Sequence, residues 1–324
     1  MKIFLNPIQN CSNRTAKQLY KNNSYIKNNY SIDVFIKNTQ SPSFGSGGLG
    51  NFREIYALLE EELDQYCLNA PQLSLSKIRT IVKSHCPDIE VDDLSNLSSN
   101  ALISPATAAY FKCEIPFIMN NNKLQIPNKL NQVIYLKMPE DQSEKDRTIF
   151  LSRIMHEITH ALQENSSDRI SKADYMRKYL SRSSKSSEEK IRTISIANQA
   201  SKYAYNNIVN LCAKELNKSD NMPLSVIMNS AGYLDSFYNK ACSKKAGAAI
   251  DNLLTSILEA FKRQGSYDTQ TALDLIAMTA EREQEAYRNE YEILKKYANI
   301  KGNADIDIIP MSFGVLSDIA KDLY

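Results

Sequence analysis

A chain of 324 residues with 43% hydrophobic residues can bury one sizeable core or two smaller ones, which excludes a disordered or fibrous protein. Its 39 basic and 37 acidic residues leave a net charge of +2 without a basic stripe, so nucleic acid is not an implied partner. No apolar run approaches the ~18 residues of a membrane span, and Ile3, Phe4 and Leu5 are too few for a signal-peptide core before Asn6 and Pro7 interrupt them.

The elements follow in chain order. Residues 1–50, rich in Asn, Lys and Ser, read as a loosely ordered N-terminal segment with one strand at 31–38. Gly45, Gly47, Gly48 and Gly50 match G-x-G-x-x-G, but the surrounding βαβ pattern and the later acidic residue of a dinucleotide site are missing, so the stretch reads as a loop. Helices are expected at 51–67 and 75–85 from apolar residues at three- and four-residue spacing, followed by a polar link over 91–100. "EIPFIM" and "QVIYLKM", within 114–138, read as two short strands of a small sheet and as the only β region. From Pro139 onward the pattern is helical: 140–164, opened by Asp141 and Glu144 in capping-box spacing, then 170–181, 186–217, 224–240, 246–263 and 270–298. The expected fold is mainly α with a small β-sheet, an α+β class with a helical-bundle C-terminal half. Residues 51–324 would form one domain carrying a helical insertion at about 169–267. Six scattered cysteines without a CxxC pair read as reduced thiols of a cytosolic environment.

Histidine is scarce, and its placement carries the chemistry. Of three histidines, His156 and His160 stand four apart in "HEITH". Chance placement of H-E-x-x-H at this composition is expected on the order of a few times per thousand such chains. On a helix, positions i and i+4 share a face, so both imidazoles point at one place and suit a single Zn²⁺. Glu157, one position round, can reach a water there without ligating the metal, and can act as general base.

"HEITHALQE", with the strand-like "QVIYLKM" before it, resembles the active-site helix of HExxH zinc metallopeptidases over some 35 residues. The resemblance implies a zincin-like core, a protein substrate, Zn²⁺ held by His156 and His160, Glu157 as general base, and a strand edge along which an extended substrate lies. Metzincins continue as HExxHxxGxxH, and Gln163 and Ser166 stand at the corresponding positions here, which excludes that class. Gluzincins supply a glutamate from a later helix, and "TAEREQEAYRNEY" is similar to that pattern. Glu283 stands three before Ala286 and four before Tyr287, which would buttress a ligand.

Glu283 is therefore the leading third ligand, with Glu285 and Glu281 as alternatives. Asp168 in "QENSSD" resembles the aspartate ligand of some bacterial effector proteases, and His85 is the remaining histidine. Tyr287 and Tyr291 are the nearest candidates for stabilising a transition state. The polar N-terminus and reduced cysteines resemble bacterial metalloprotease effectors injected into a host cytoplasm, and a bacterial cytoplasmic peptidase fits the same facts. A reading of another class is a non-catalytic helical interaction protein, or a metallopeptidase relic, motivated by the many amphipathic helices after residue 165.

Overall fold

The computed structural model describes residues 51–97, 108–121, 123–216 and 268–297, together with Thr255, Glu259 and six positions between Phe313 and Lys321. The strand expected at 31–38, the Gly45–Gly50 loop, the helix expected at 224–240 and, apart from Thr255 and Glu259, the helix expected at 246–263 lie outside this set. The described elements run α1 (Phe52–Asn69), α2 (Leu75–His85), β1 (Ile89–Asp93), β2 (Ala109–Glu114), β3 (Ile118–Asn120), β4 (Lys123–Gln125), β5 (Asn131–Leu136), α3 (Glu144–Asn165), α4 (Lys172–Arg182), α5 (Ser187–Leu216) and α6 (Thr269–Tyr297). The architecture is mainly α with small sheets, an α+β class. Among the described residues no helix is long and apolar enough to cross a membrane.

The sheet differs from the sequence expectation in extent and order. Its three strands run β1-β5-β2, with β1 parallel and β2 antiparallel to β5, and β3 pairs separately with β4. Residues 89–93, "IEVDD", form a strand although part of them reads as a polar link, because Ile89 and Val91 alternate into the core while Glu90 faces outward. Strand β5, taken from the resemblance as a substrate edge, is instead the central strand and is paired on both sides. In strand order β2 stands at an edge, next to α3.

Alternation along β5 buries Gln132, Ile134 and Leu136 on one face. With Ile89, Val91, Ala109 and Phe111 of the flanking strands, and with Leu59, Leu63, Ile78 and Val82 of α1 and α2, Ile134 and Leu136 form one apolar core. Helix α3 closes it with Leu151, Ile154, Met155, Ile158 and Leu162. Each such fully buried aliphatic side chain contributes about 1.5–3 kcal/mol relative to exposure. A second core lies among α4, α5 and α6, built on Met176, Ile194, Ala197, Ala200, Leu275, Ile276 and Ala280.

Helix α3 starts two residues later than the expected capping box. Ser143 is the N-cap: its Oγ accepts the Asp146 N–H at 3.2 Å and donates to the Asp146 carboxylate at 2.6 Å. The hydroxyl reaches the third residue of the helix, and the acidic partner suits the positive helix end. Asp141 acts further out, accepting the Ser143 N–H at 3.0 Å. Arg147 then ties the first turn to the α1–α2 connection by donating to the carbonyls of Ala70 and Pro71.

Candidate metal centre

Two helices and their crossing build the site. On α3, positions 153, 156, 160 and 163 follow three- and four-residue spacing and turn away from the sheet core toward α6. The helices run antiparallel: Arg153 and His156 meet Glu290, whereas Gln163 meets Arg282 and Glu285. This brings Glu283 opposite the two histidines. His160 Nε2 lies 3.2 Å from His156 Nε2 and 3.4 Å from Glu283 Oε1, and His156 Nε2 lies 3.8 Å from Glu283 Oε2. A tetrahedral ion bonded at ~2.0–2.1 Å sets its ligand atoms about 3.3 Å apart, so the three donors fit one ion.

The hydrogen bonds behind the imidazoles decide which nitrogens face inward. Gln163 Nε2 donates to the Arg282 carbonyl at 3.1 Å and to Glu285 at 2.9 Å, which turns its Oε1 to His160 Nδ1 at 3.0 Å. Because that oxygen can only accept, His160 carries its proton on Nδ1 and presents a lone pair at Nε2. His156 Nδ1 lies at ion-pairing distance, 2.9 Å, from Glu290 Oε2, which favours the same tautomer there. Two lone pairs and a carboxylate thus converge in a dry place, with His156 2%, His160 6% and Glu283 1% exposed. Such a triad needs a positive charge, and a metal ion or an extra proton would supply it.

The ionisation of these groups reflects that need. Burial opposes the charge on His156, yet the hydrogen bond to Glu290 and the carboxylates of Glu290, Glu157 and Glu283 outweigh it and raise its pKa. Burial pushes the Glu283 carboxyl up, while His160 and His156 hold it below its ordinary value. Glu290 is likewise pushed up by burial and held low by Arg153, 3.1 Å away, and by His156.

Glu157, buried at 6% exposure, accepts the Phe111 N–H of β2 at 2.8 Å through Oε2, so the general-base candidate is held against the edge strand. The Tyr287 ring meets His156 edge-on at a centroid distance of 4.7 Å, in the buttressing position expected for it. Tyr291 lies one turn further, 6.2 Å from Tyr287.

The alternative ligands are engaged elsewhere. Asp168 accepts the Phe52 N–H at 3.1 Å and so caps α1. Glu285 pairs with Arg169 at 2.7 Å and holds Gln163, and Glu281 pairs with Lys321. His85 pairs with Glu62 at 3.0 Å, and Ser166 donates to the Leu162 carbonyl at 2.7 Å at the end of α3. Among the described residues, His156, His160 and Glu283 are the one group of three or more such side chains placed to hold a metal ion. Gln163, Arg153 and Glu290 complete the centre without having been singled out from the sequence. The spacing of Glu290 seven residues after Glu283, on the same helix face, is the signal that was there to read.

No family model, no curated protein and no solved structure matches this chain. The case for the site therefore rests on its own geometry.

Proposed function

We propose that the chain is a zinc-dependent endopeptidase acting on protein substrates, with His156, His160 and Glu283 as metal ligands and Glu157 as general base. The observation that carries this reading is the convergence of three electron-rich donor atoms at tetrahedral spacing with a buried carboxylate beside them. A zinc ion held there supplies Lewis acidity and brings the pKa of a bound water toward ~7. Glu157 takes a proton from the attacking water as its oxygen bonds to the scissile carbonyl carbon. The same proton then passes to the amine as the C–N bond breaks, so the base is restored. Strand β2, which holds Glu157, offers the edge for an extended substrate. Substitution Glu157→Gln keeps the shape and removes the base. It is expected to abolish hydrolysis of an unfolded protein such as casein while zinc stays at one equivalent, and full activity in that variant would refute the mechanism.

A second reading has its own support in the burial of all three ligands, 1–6% exposed. A closed site of this kind suits a structural ion joining α3 to α6 in a non-catalytic helical protein. Removing metal with a chelator separates the two. The catalytic reading expects lost proteolysis with the fold intact, and the structural reading expects a large drop in Tm and no proteolysis to lose.

A further inference from the structure

A second cluster of charges begins one residue past Gln163 and takes no part in the steps above. The Glu164 carboxylate, near the end of α3, accepts the Lys172 N–H at 3.2 Å through one oxygen and pairs with the Arg282 guanidinium through the other. Arg282 also donates to the Gln163 carbonyl at 2.7 Å. One carboxylate thus holds the start of α4 and the middle of α6 to the end of α3.

Helix register adds a third cation. Lys185 lies near Asp268 ahead of α6, and Ser201 further along α5 donates to Thr279 at 2.7 Å, so the two helices run parallel. Just beyond that bond stand Lys202 on α5 and Arg282 on α6, each within one turn of it. The Lys172 ammonium feels both as neighbouring cations, with Glu164 as the nearby carboxylate. Among the described residues, neither the Lys172 nor the Lys202 ammonium has a hydrogen-bond or ion-pair partner. Cys113 stands in the same field, but burial first, and then Glu164, push its thiol up to about 12, so it supplies no negative charge. Three cations against one carboxylate leave two charges uncompensated, and like charges gathered away from bulk water repel strongly. Lys172 is half-buried and Lys202 is exposed, which leaves the cluster open to solvent.

We infer that this junction of α3, α4, α5 and α6 binds a small tetrahedral dianion of the sulfate or phosphate class, held by Lys172 and Lys202 with Arg282 behind them. A dianion matches the two uncompensated charges, and ammonium groups carry three donors each for its four oxygens. Once bound, it ties α4 and α5 to the Glu164–Arg282 pair and stabilises the folded chain as its concentration rises. This role is independent of the peptidase reading, since none of the three cations is a metal ligand or the base.

The test is calorimetric titration of sulfate into the full zinc-loaded chain, in a chloride buffer of constant ionic strength. One equivalent is expected to bind saturably to the wild type. Lys172→Met and Lys202→Met should each weaken that binding about 10–100-fold, the effect of losing a hydrogen bond between charged partners. Lys172→Arg, which keeps the charge and the donors, should retain most of it. In sulfate-free buffer Lys172→Met should match or exceed the wild-type Tm, so that its lost affinity is not a lost fold. Absence of saturable binding to the wild type would overturn the inference. So would an unchanged affinity in Lys172→Met or in Lys202→Met, which is the result expected of sulfate sitting on the metal or screening the surface at large.

Discussion

Helix α3 shows two opposite faces to the protein, and they are built on different principles. Toward the sheet it packs Leu151, Ile154, Met155 and Ile158 against α1, α2 and the strands, an apolar surface on which Glu157 is satisfied by the Phe111 N–H and Asn165 by Gln132. Toward α6 it presents Arg153, His156, His160 and Gln163 to Glu290, Glu283 and Glu285, all within hydrogen-bonding or ion-pairing distance of some partner. The first face is held mainly by volume and shape. The second is a buried ionic seam, and such seams are weak contributors to stability because removing charges from water is costly. A protein that wanted only to join two helices would do as well with leucines. Glu283 Oε2 is buried without a hydrogen-bond partner, and with His156 and His160 it forms a group that could hold a metal ion.

The largest effect is expected where the ligand set itself is broken. Glu283→Ala should weaken zinc binding by more than the ~10–100-fold that losing an outer partner costs. Asp168→Ala and Glu281→Ala should leave zinc affinity unchanged, since those carboxylates cap α1 and pair with Lys321. Competition against a chromogenic chelator measures both. An affinity unchanged in Glu283→Ala would move the third ligand and break the contrast between the two faces.

On the apolar face, Leu151→Ala should cost about 2–5 kcal/mol of stability, the range for a fully buried leucine, with little change in zinc stoichiometry at temperatures where the variant is folded. Denaturant unfolding reads it. Loss of metal from the folded variant would mean that the two faces are coupled through the helix, so that packing on one side sets the histidine positions on the other.

The outer partners come next. Gln163→Ala removes the oxygen that fixes the His160 tautomer, and Glu290→Gln weakens the one on His156. Each should reduce zinc affinity about 10–100-fold without lowering its stoichiometry at saturation. Gln163→Glu should recover only part of the loss, since it keeps an acceptor for His160 Nδ1 but sets a carboxylate oxygen against Glu285 and the Arg282 carbonyl. A Glu290→Ala variant is a poorer probe, because it leaves Arg153 without its buried partner.

What could be read from the sequence follows the range of the interactions. His156 and His160 were legible because their relation is local, one helical turn, and because histidine is scarce in this chain. The helices at 75–85 and 187–216 were legible from apolar spacing alone, within a residue or two of their ends. Strand β1 was not: its acidic half resembles a linker, and its pairing with β5 spans the intervening β2, β3 and β4. Gln163 and Arg153 were illegible for a related reason. Each is a common helix residue whose role exists only once α3 and α6 meet, and no local pattern encodes that meeting.

The smallest effect tests whether charge burial away from the metal centre behaves by the same physics. Lys172 opens α4, and burial first, then the cations of Lys202 and Arg282, push its ammonium down to about 8 against the opposing pull of Glu164 and Cys113. In the unfolded chain the same group titrates near ~10.4. Between those values the unfolded state binds more protons than the folded one, so this residue makes stability rise with pH, and at pH 7 it disfavours the fold. Its place in the first turn of α4, where the helix end is positive, works in the same direction. Lys172→Met should therefore raise Tm at pH 7 by roughly 2–4 °C, the shift expected of about 1 kcal/mol in a domain of this size. The gain should shrink as pH climbs through 8 and vanish only above ~10.4, where the wild-type lysine is neutral in both states. A gain that stays constant with pH would assign the effect to packing of the methionine. A loss at pH 7 would mean that attraction to Glu164 outweighs burial and the neighbouring cations.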